Sequence, residues 1–266
     1  MYIRYYRDPN LPIFEIKNCD LGMHAERKHV HEEFSVGLIT GGSSVINDGS
    51  RDYSVGRGSL VLIPAQLVHK CSPEDLTKWR FKMLYLEAKW VRALIAPIDK
   101  GRFIAVKQLD PPDYRDALRL FRTLQASRSG LEKEQLLMEA LRHFCDFKNY
   151  YYIQSAPRSS EIHAAGLARD YLHQHFLEKI GLDDLVRVSG LSKYHLVRIF
   201  QQLYQTSPHA YQTMLRINYA KQELKEKLDC PIATIAQNAG FFDQSHFIKT
   251  FKLYHGTTPV DYRATV

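Results

Sequence analysis

The sequence predicts an α+β protein with two domains: an amino-terminal β-barrel with packed helices, and a carboxy-terminal all-α domain with two helix-turn-helix motifs. Three observations predict this fold class. Short strands and turns fill residues 13–86, a helical period of apolar residues begins near residue 113, and the last third repeats one spacing of aromatic and proline residues. A chain of 266 residues can bury two modest cores.

The strands of the first region are marked by β-forming residues and by turn residues between them. The predicted strands are residues 33–40, 44–46, 53–55, 60–63 and 78–86. Asp48-Gly49 is a strong hairpin signal. In the last strand, one face carries large side chains by strict alternation, namely Trp79, Phe81, Met83 and Tyr85. Closely spaced strands of this kind predict a barrel or sandwich over about residues 13–90.

Helical periodicity replaces strand alternation at about residues 113–152. Leu118 and Phe121 lie on one short amphipathic segment, and Leu137 and Leu141 lie on a longer one. Two interpretations stay open and are compatible, since these helices either pack on the barrel or form a dimerisation face. The first domain is therefore expected to cover residues 1–154.

An exposed linker is expected at residues 155–160, which read SAPRSS. Everything in residues 161–266 is predicted to be helical with short turns. A spacing repeats within this part: Phe200, Pro208 and Tyr211 are separated as are Phe251, Pro259 and Tyr262. Two such units predict a duplicated structure rather than an unrelated helical bundle.

Each repeat has the features of a helix-turn-helix. Gly190 and Gly240 are expected to end the first helix of each unit, because glycine adopts positive φ most easily. Ser207-Pro208 and Thr258-Pro259 provide a capping hydroxyl and a proline for the next helix. Residues 208–228 are long enough for one connecting helix, which would place the two second helices about one DNA turn, roughly 34 Å, apart.

Residues 182–202 and 231–263 resemble the paired DNA-binding motifs of AraC/XylS-type transcription regulators. The resemblance implies sequence-specific binding to double-stranded DNA, with the second helix of each unit in adjacent major grooves. The DNA contacts that it implies are Ser192, Lys193, Tyr194, His195, Val197, Arg198, Gln244, Ser245, His246, Lys249 and Lys252. Among them, Arg198 suits guanine, Gln244 suits adenine, and Lys249 suits guanine or phosphate. Ser192, Lys193 and Lys252 suit phosphate.

Bulk charge does not identify the DNA-binding half. The chain has a formal net charge of +7. Residues 161–266 carry 12 Lys+Arg against 10 Asp+Glu, a net of +2, whereas residues 1–160 carry 24 against 19, a net of +5. The placement of individual charged residues must therefore determine binding.

The first region also contains spaced histidines. Gly58, Pro64 and His69 follow a G-x5-P-x4-H pattern, and strand alternation would place His29 and His31 on one face. These motifs resemble the two signature motifs of cupin barrels, which implies a cupin-like effector-binding domain. Two features depart from the pattern: Gln66 replaces the usual glycine, and no carboxylate follows His31 at the expected interval.

The effector pocket is expected inside the barrel. Its predicted residues are His29, His31, His69, Trp79, Phe81, Met83 and Tyr85. If the last strand is turned the other way, Arg80 and Lys82 face inward instead and favour an anionic effector.

The main interpretation is an effector-responsive transcription regulator that is not an enzyme and has no cofactor or bound metal. The alternative is a metal-dependent cupin enzyme with an appended DNA-binding domain, in which the three histidines hold Fe, Zn or Mn. A constitutive DNA-binding protein with an empty barrel is the third. The expected partners are double-stranded DNA, a small-molecule effector, a second copy of the chain and RNA polymerase.

A reducing cytoplasm is the expected location. The four cysteines are scattered without a CxxC pair. No membrane partner is expected, because no run approaches the roughly 20 apolar residues of a membrane span.

Overall fold

The computed structural model describes residues 3–20, 28–94, 104–126, 129–144 and 159–264. They form two compact units, one mainly within residues 3–144 and the other mainly within residues 159–264. None of the described helices combines the length and the apolar character that a membrane span requires.

Nine described strands build the first unit. They are β1 (Ile3–Arg7), β2 (Phe14–Cys19), β3 (Phe34–Gly41), β4 (Ser43–Asn47), β5 (Asp52–Gly56), β6 (Ser59–Ile63), β7 (Lys70–Pro73), β8 (Arg80–Leu86) and β9 (Ala105–Gln108). The larger sheet has the order β1-β2-β8-β3-β6-β9, and the smaller has the order β5-β4-β7. All the pairings are antiparallel. Within the described residues, the strands form two sheets rather than one continuous closed sheet.

The outer face of the larger sheet carries the apolar core. Three helices lie within the described residues of this unit: α1 (Ala88–Leu94), α2 (Pro111–Gln125) and α3 (Gly130–Phe144). Ile16, Leu38 and Leu84 from the sheet pack in one cluster with Phe121 of α2 and Leu137 of α3. Every one of these side chains is at most 2% exposed. Packing on the sheet, one of the two expected roles of the predicted helices, is therefore observed.

The predicted strands are confirmed, with boundaries that shift by one or two residues, and the hairpin at Asp48-Gly49 is confirmed too. Asn47 pairs with Asp52, and Gly49 has a φ of 89°. The expected range of the barrel was too short, because it omitted β1 and β9, which form the two edges of the larger sheet. Both edge strands are short and mix charged with apolar residues, so neither shows a clear alternation.

Seven helices make up the described part of the second unit. They are α4 (Ser159–His175), α5 (Leu182–Ser189), α6 (Lys193–Tyr204), α7 (Pro208–Glu226), α8 (Ile232–Asn238), α9 (Gln244–His255) and α10 (Pro259–Ala264). The predicted linker is wrong at its end, because residues 159 and 160 already belong to α4. Its residues 155–158, and residues 145–152 of the predicted helical segment, lie outside the described residues.

The predicted helix boundaries in this unit are confirmed. Gly190 follows α5 with a φ of 70°, and Gly240 follows α8 with a φ of 77°. Ser207 accepts a hydrogen bond from the Ala210 backbone N–H at 3.2 Å and caps the amino-terminal end of α7. The Thr258 hydroxyl accepts one from the Asp261 N–H at 3.1 Å, directly before α10. The long connecting helix is α7.

The repeated spacing has one structural cause. The ring centroids of Phe200 and Tyr211 lie 5.6 Å apart with edge-to-face geometry, and those of Phe251 and Tyr262 lie 5.6 Å apart in the same arrangement. All four side chains are at most 1% exposed. The repeat therefore preserves an aromatic contact between the second helix of each helix-turn-helix, α6 or α9, and the helix that follows it, α7 or α10.

Candidate functional site

Helix α6 separates a buried face from an exposed one. Leu196, Ile199 and Phe200 are buried against the rest of the unit. Of the predicted DNA contacts on this helix and its cap, Ser192, Lys193, Tyr194 and Arg198 are exposed, whereas His195 and Val197 are half-buried. Tyr194 is the most exposed of the large apolar side chains on this helix, with 82% of its surface accessible.

Two of these residues already have partners. His195 Nε2 lies 3.2 Å from Glu161 Oε1 of α4, and Lys193 Nζ lies 2.7 Å from Asp183 Oδ1 of α5. Ser192 is the N-cap of α6, and its hydroxyl accepts from the His195 N–H at 3.4 Å. Among the described residues, therefore, Arg198 is the exposed cation of α6 that forms no ion pair with an acidic side chain.

Helix α9 presents a second exposed face. Phe247, Thr250 and Phe251 point into the core. All five predicted contacts on this helix are exposed: Gln244, Ser245, His246, Lys249 and Lys252. The ring of His246 packs edge-on against Phe241, with centroids 5.5 Å apart.

Basic and acidic residues are distributed unevenly over the helices of the second unit. Helices α6 and α9 contain Lys193, Arg198, Lys249 and Lys252, and neither helix contains an acidic residue. These four cations exceed the net charge of +2 of residues 161–266. The remainder of that region is therefore net acidic, and the net positive charge lies on α6 and α9.

Sequence reasoning missed one exposed residue beside α9. Phe242 lies in the turn before this helix and is fully exposed. The turn before α9 is one residue longer than the turn before α6, and this difference in length is the sequence signal that could have identified Phe242.

The inner face of the larger sheet is defined by its register. Glu15 and Ser35 both pair with Tyr85, and Lys17 pairs with Met83. Residues at paired positions share a face, so these side chains lie opposite the apolar core. Tyr85 contacts His31, with ring centroids 4.9 Å apart, and His31 lies 5.2 Å from His69, next to the smaller sheet. The inner face of the larger sheet, which carries these polar side chains, therefore faces the smaller sheet.

This inner face is polar for a buried surface. Arg7 Nε donates to Glu15 Oε2 at 2.7 Å, and Glu15 is 2% exposed. Lys17 is 5% exposed and lies 5.8 Å from the Tyr5 and Phe81 ring centroids. Sequence reasoning missed Tyr5, Glu15, Lys17 and Ser35, because charged residues that alternate with apolar ones, as Glu15 and Lys17 do in β2, are typical of a strand with one solvated face.

Strand β8 is oriented as its alternation predicted. Phe81 and Met83 share the inner face with Tyr85, and Trp79 precedes the strand with its ring 5.7 Å from that of Phe81. The opposite orientation is wrong, because Lys82 Nζ donates to Asn18 Oδ1 at 2.7 Å and Asn18 donates to Gln125 of α2. Arg80 is exposed and donates to the Asp20 carbonyl.

The three predicted histidines converge. His29, His31 and His69 are buried, and each offers a ring nitrogen within 4.8 Å of the others. Residues 28–33 do not form a regular strand, so strand alternation was not the reason for their shared side. His69 Nδ1 lies 2.9 Å from the Leu67 carbonyl oxygen, which favours a proton on Nδ1 and a lone pair on Nε2. Burial lowers the pKa of His69 to about 4, so the ring is neutral at physiological pH.

The fold and these two surfaces define a DNA-binding regulator with a separate ligand-binding domain. Comparison with known families agrees: an AraC-like ligand binding domain model matches residues 18–141, and a helix-turn-helix domain model matches residues 185–265. The chain belongs to the AraC-type transcription regulators.

Known relatives span most of the chain. It is 27% identical over 226 residues to the HTH-type transcriptional regulator YbfI of Bacillus subtilis, covering 82% of this chain and 80% of the relative. It is 24% identical over 263 residues to the MmsAB operon regulatory protein of Pseudomonas aeruginosa, covering 91% and 79%. Apo ToxT of Vibrio cholerae has a similar fold, with a TM-score of 0.67 at 14% identity over 97% of this chain and 99% of that structure.

Proposed function

We propose that this regulator binds DNA through the exposed faces of α6 and α9, and that a small molecule bound on the inner face of the sheets controls this binding. One observation carries the DNA-binding part: both helices expose cations, amides and hydroxyls and contain no acidic residue. The proposed contacts are the eleven predicted residues from Ser192 to Lys252.

The connecting helix sets the spacing of the two recognition helices. With 19 residues, α7 is about 28 Å long. This length is close to one turn of B-DNA, about 34 Å, and supports insertion of α6 and α9 into neighbouring major grooves on one side of the duplex. In this arrangement, Arg198 reads guanine and Gln244 reads adenine.

The effector is a polar molecule held between the two sheets. Charged and aromatic side chains are buried there together, namely Lys17, Glu15 and Tyr85. Among the described residues, Trp79 Nε1 and the Ser35 hydroxyl are buried without a hydrogen-bond partner. Buried polar groups are usually satisfied, so a bound ligand is a natural partner for both. The predicted histidines, Phe81 and Met83 complete this pocket, which binds its ligand without transforming it.

Control of transcription requires that the effector stabilise one state more than another. The regulator acts as a homodimer in the cytoplasm, where it contacts RNA polymerase as well as DNA. These assignments are supported by its membership of the family, and each needs its own measurement.

In vitro selection tests the DNA-binding part. Purified chain is used to select duplexes from a random library, and the enriched duplex is then footprinted with hydroxyl radicals. We expect one enriched motif with protection on one face, centred on two neighbouring major grooves. The absence of any enriched motif, or protection on both faces by one monomer, would contradict the proposal.

A second candidate for the first unit is a metal-responsive sensor, and the convergence of the three histidines favours it. Imidazole nitrogens suit Zn, Fe, Ni or Cu, and a backbone acceptor on the second ring nitrogen, as at His69, is typical of a metal ligand. The fit is incomplete. The nitrogens lie up to 4.8 Å apart, and among the described residues no carboxylate joins the group.

Cobalt(II) distinguishes the two candidates. Untagged chain would be titrated with Co²⁺ and its visible absorption recorded, alongside a His69→Gln variant. A metal sensor should take up one equivalent, show d–d bands and lose them in the variant. If the unvaried chain shows no stoichiometric uptake while a polar metabolite raises its melting temperature, the histidines belong to the pocket of an organic effector.

A further inference from the structure

Phe242 is a fully exposed aromatic side chain on a well-structured turn. Its relative exposure of 101% is the highest among the exposed large apolar residues of the described chain. The backbone on both sides is held in place. The Phe241 N–H donates to the Ala236 carbonyl at 3.0 Å, and Asp243 Oδ1 accepts from the His246 N–H at 2.7 Å to cap α9. The exposure of Phe242 is therefore a property of the folded turn.

Phe242 is the additional residue of the second turn. In the first helix-turn-helix (α5 and α6), only Leu191 lies between Gly190 and the N-cap Ser192. In the second helix-turn-helix (α8 and α9), Phe241 and Phe242 lie between Gly240 and the N-cap Asp243. Phe241 is buried, with its ring 5.2 Å from that of Phe247, so it occupies the inward position of the turn. Because Phe241 occupies this inward position, the side chain of Phe242 points into solvent.

The surroundings of Phe242 continue the proposed DNA-binding face. Residues 242–246 are all exposed, and they form the amino-terminal end of α9 together with the turn that precedes it. In a helix-turn-helix, this end of the second helix contacts base edges. A phenyl ring makes no conventional hydrogen bond, and the apolar feature of the major groove is the thymine methyl group.

We infer that Phe242 packs against a thymine methyl group in the major groove that α9 enters. This contact would add a preference for an A·T pair next to the base pair read by Gln244. It rests on the proposed function, because it requires α9 to lie in the groove. An apolar contact neutralises no phosphate, so it should not change the salt dependence of binding.

The test combines a protein variant with a DNA variant. The probe is the duplex enriched by in vitro selection, compared with duplexes in which uracil, which lacks the methyl group, replaces one thymine at a time. For the unvaried chain, one uracil position should raise the dissociation constant about tenfold. Phe242→Ser should raise it by a similar factor on the thymine duplex and show no further loss at that uracil position. Phe242→Leu should keep part of the preference.

The control is Val260→Ser, which removes a 57% exposed apolar residue from α10 of the same unit and should bind normally. The inference is overturned if Phe242→Ser binds the selected duplex like the unvaried chain. It is also overturned if both proteins lose the same factor at every uracil, or if the variant changes transcription in cells with unchanged binding. Failure to select any duplex would instead contradict the proposed DNA binding itself.

Discussion

The guanidinium of Arg216 on α7 donates a hydrogen bond from Nη1 to the carbonyl oxygen of Gly240 at 2.8 Å. The same group donates from Nε to the Phe176 carbonyl at 2.7 Å and from Nη2 to the Glu178 carbonyl at 2.9 Å. Phe176 and Glu178 follow α4 in the first half of the unit, and Gly240 lies in the turn of the second. One side chain on the connecting helix thus links the two halves, and it fixes the turn that positions α9.

Alanine at Gly240 should be more destabilising than alanine at Gly190. Both glycines have positive φ, 77° and 70°, which costs any other residue about 1 kcal/mol. A Cβ at Gly240 would also lie 2.9 Å from Arg216 Cζ, whereas one at Gly190 meets nothing within 4 Å. Since the guanidinium is held by three carbonyls, moving it weakens charged hydrogen bonds. We expect losses in the free energy of unfolding of about 2–3 kcal/mol for Gly240→Ala and about 1 kcal/mol for Gly190→Ala.

Urea unfolding followed by the helical circular-dichroism signal would measure this difference. An Arg216→Ala, Gly240→Ala double variant should lose less than the sum of the two single variants, because the residues contact each other. Equal losses at the two glycines would show that positive φ alone determines the cost and that the Arg216 contact contributes nothing.

A buried ion pair between Lys133 of α3 and Asp8, directly after β1, connects this helix to the edge of the larger sheet. Lys133 Nζ contacts Asp8 Oδ2 at 2.5 Å and the Tyr6 hydroxyl at 2.8 Å, and Lys133 is 2% exposed. Removing one partner leaves the other charge buried, so Lys133→Met should cost about 3–5 kcal/mol. Adding Asp8→Leu to that variant should recover part of the loss. If the double variant is no more stable than Lys133→Met, the cost comes from packing rather than from the unpaired carboxylate.

The same pair predicts a pH dependence. Burial alone would raise the pKa of Asp8, but the hydrogen bond and the charge of Lys133 lower it below its ordinary value of 3.8. The unfolded chain therefore binds a proton at higher pH than the folded chain. The stability that Asp8 contributes is present above pH 3.8 and is lost as the pH falls through the lowered pKa. In the Asp8→Leu, Lys133→Met variant, this part of the acid-induced loss should be absent from unfolding curves recorded at successive pH values.

The sequence predicted those parts of the structure that short-range rules determine. The caps at Ser207 and Thr258, the glycines at 190 and 240, and the inward face of β8 depend on neighbouring residues alone. The inner polar face did not follow, because Glu15 and Lys17 are buried only when β2 pairs with β8, a contact across some 70 residues of chain. The partners of His195 and Lys193 were missed for the same reason, since Glu161 and Asp183 lie on other helices.

Arg198 and Lys193 should differ in their contribution to DNA binding. Arg198→Ala should cost about 1–3 kcal/mol on the selected duplex and relax the preference at one base pair, because a guanidinium reads guanine with two hydrogen bonds. Lys193→Ala should weaken all sequences alike and lower the salt slope by about one. Lys193 must also leave Asp183, so Asp183→Asn should tighten binding slightly. Titrations of matched and scrambled duplexes at several salt concentrations measure both effects. If Arg198→Ala weakens binding to the matched and the scrambled duplexes by the same factor, Arg198 does not read a base.

Two lysines on paired strands provide a matched test of the effector pocket. Lys17 and Lys82 are on neighbouring strands β2 and β8 but point to opposite faces. Lys17 lies over the Tyr5 and Phe81 rings on the inner face, and Lys82 donates to Asn18 on the outer face. If the effector binds between the sheets, Lys17→Met should abolish the shift in melting temperature caused by a metabolite found in a screen, and Lys82→Met should leave the shift intact. Both variants keep a long apolar chain, and urea unfolding followed by circular dichroism checks that each of them is folded. The reverse result would move the effector site to the helix-covered side, where Ile16 and Leu84 pack with α2 and α3.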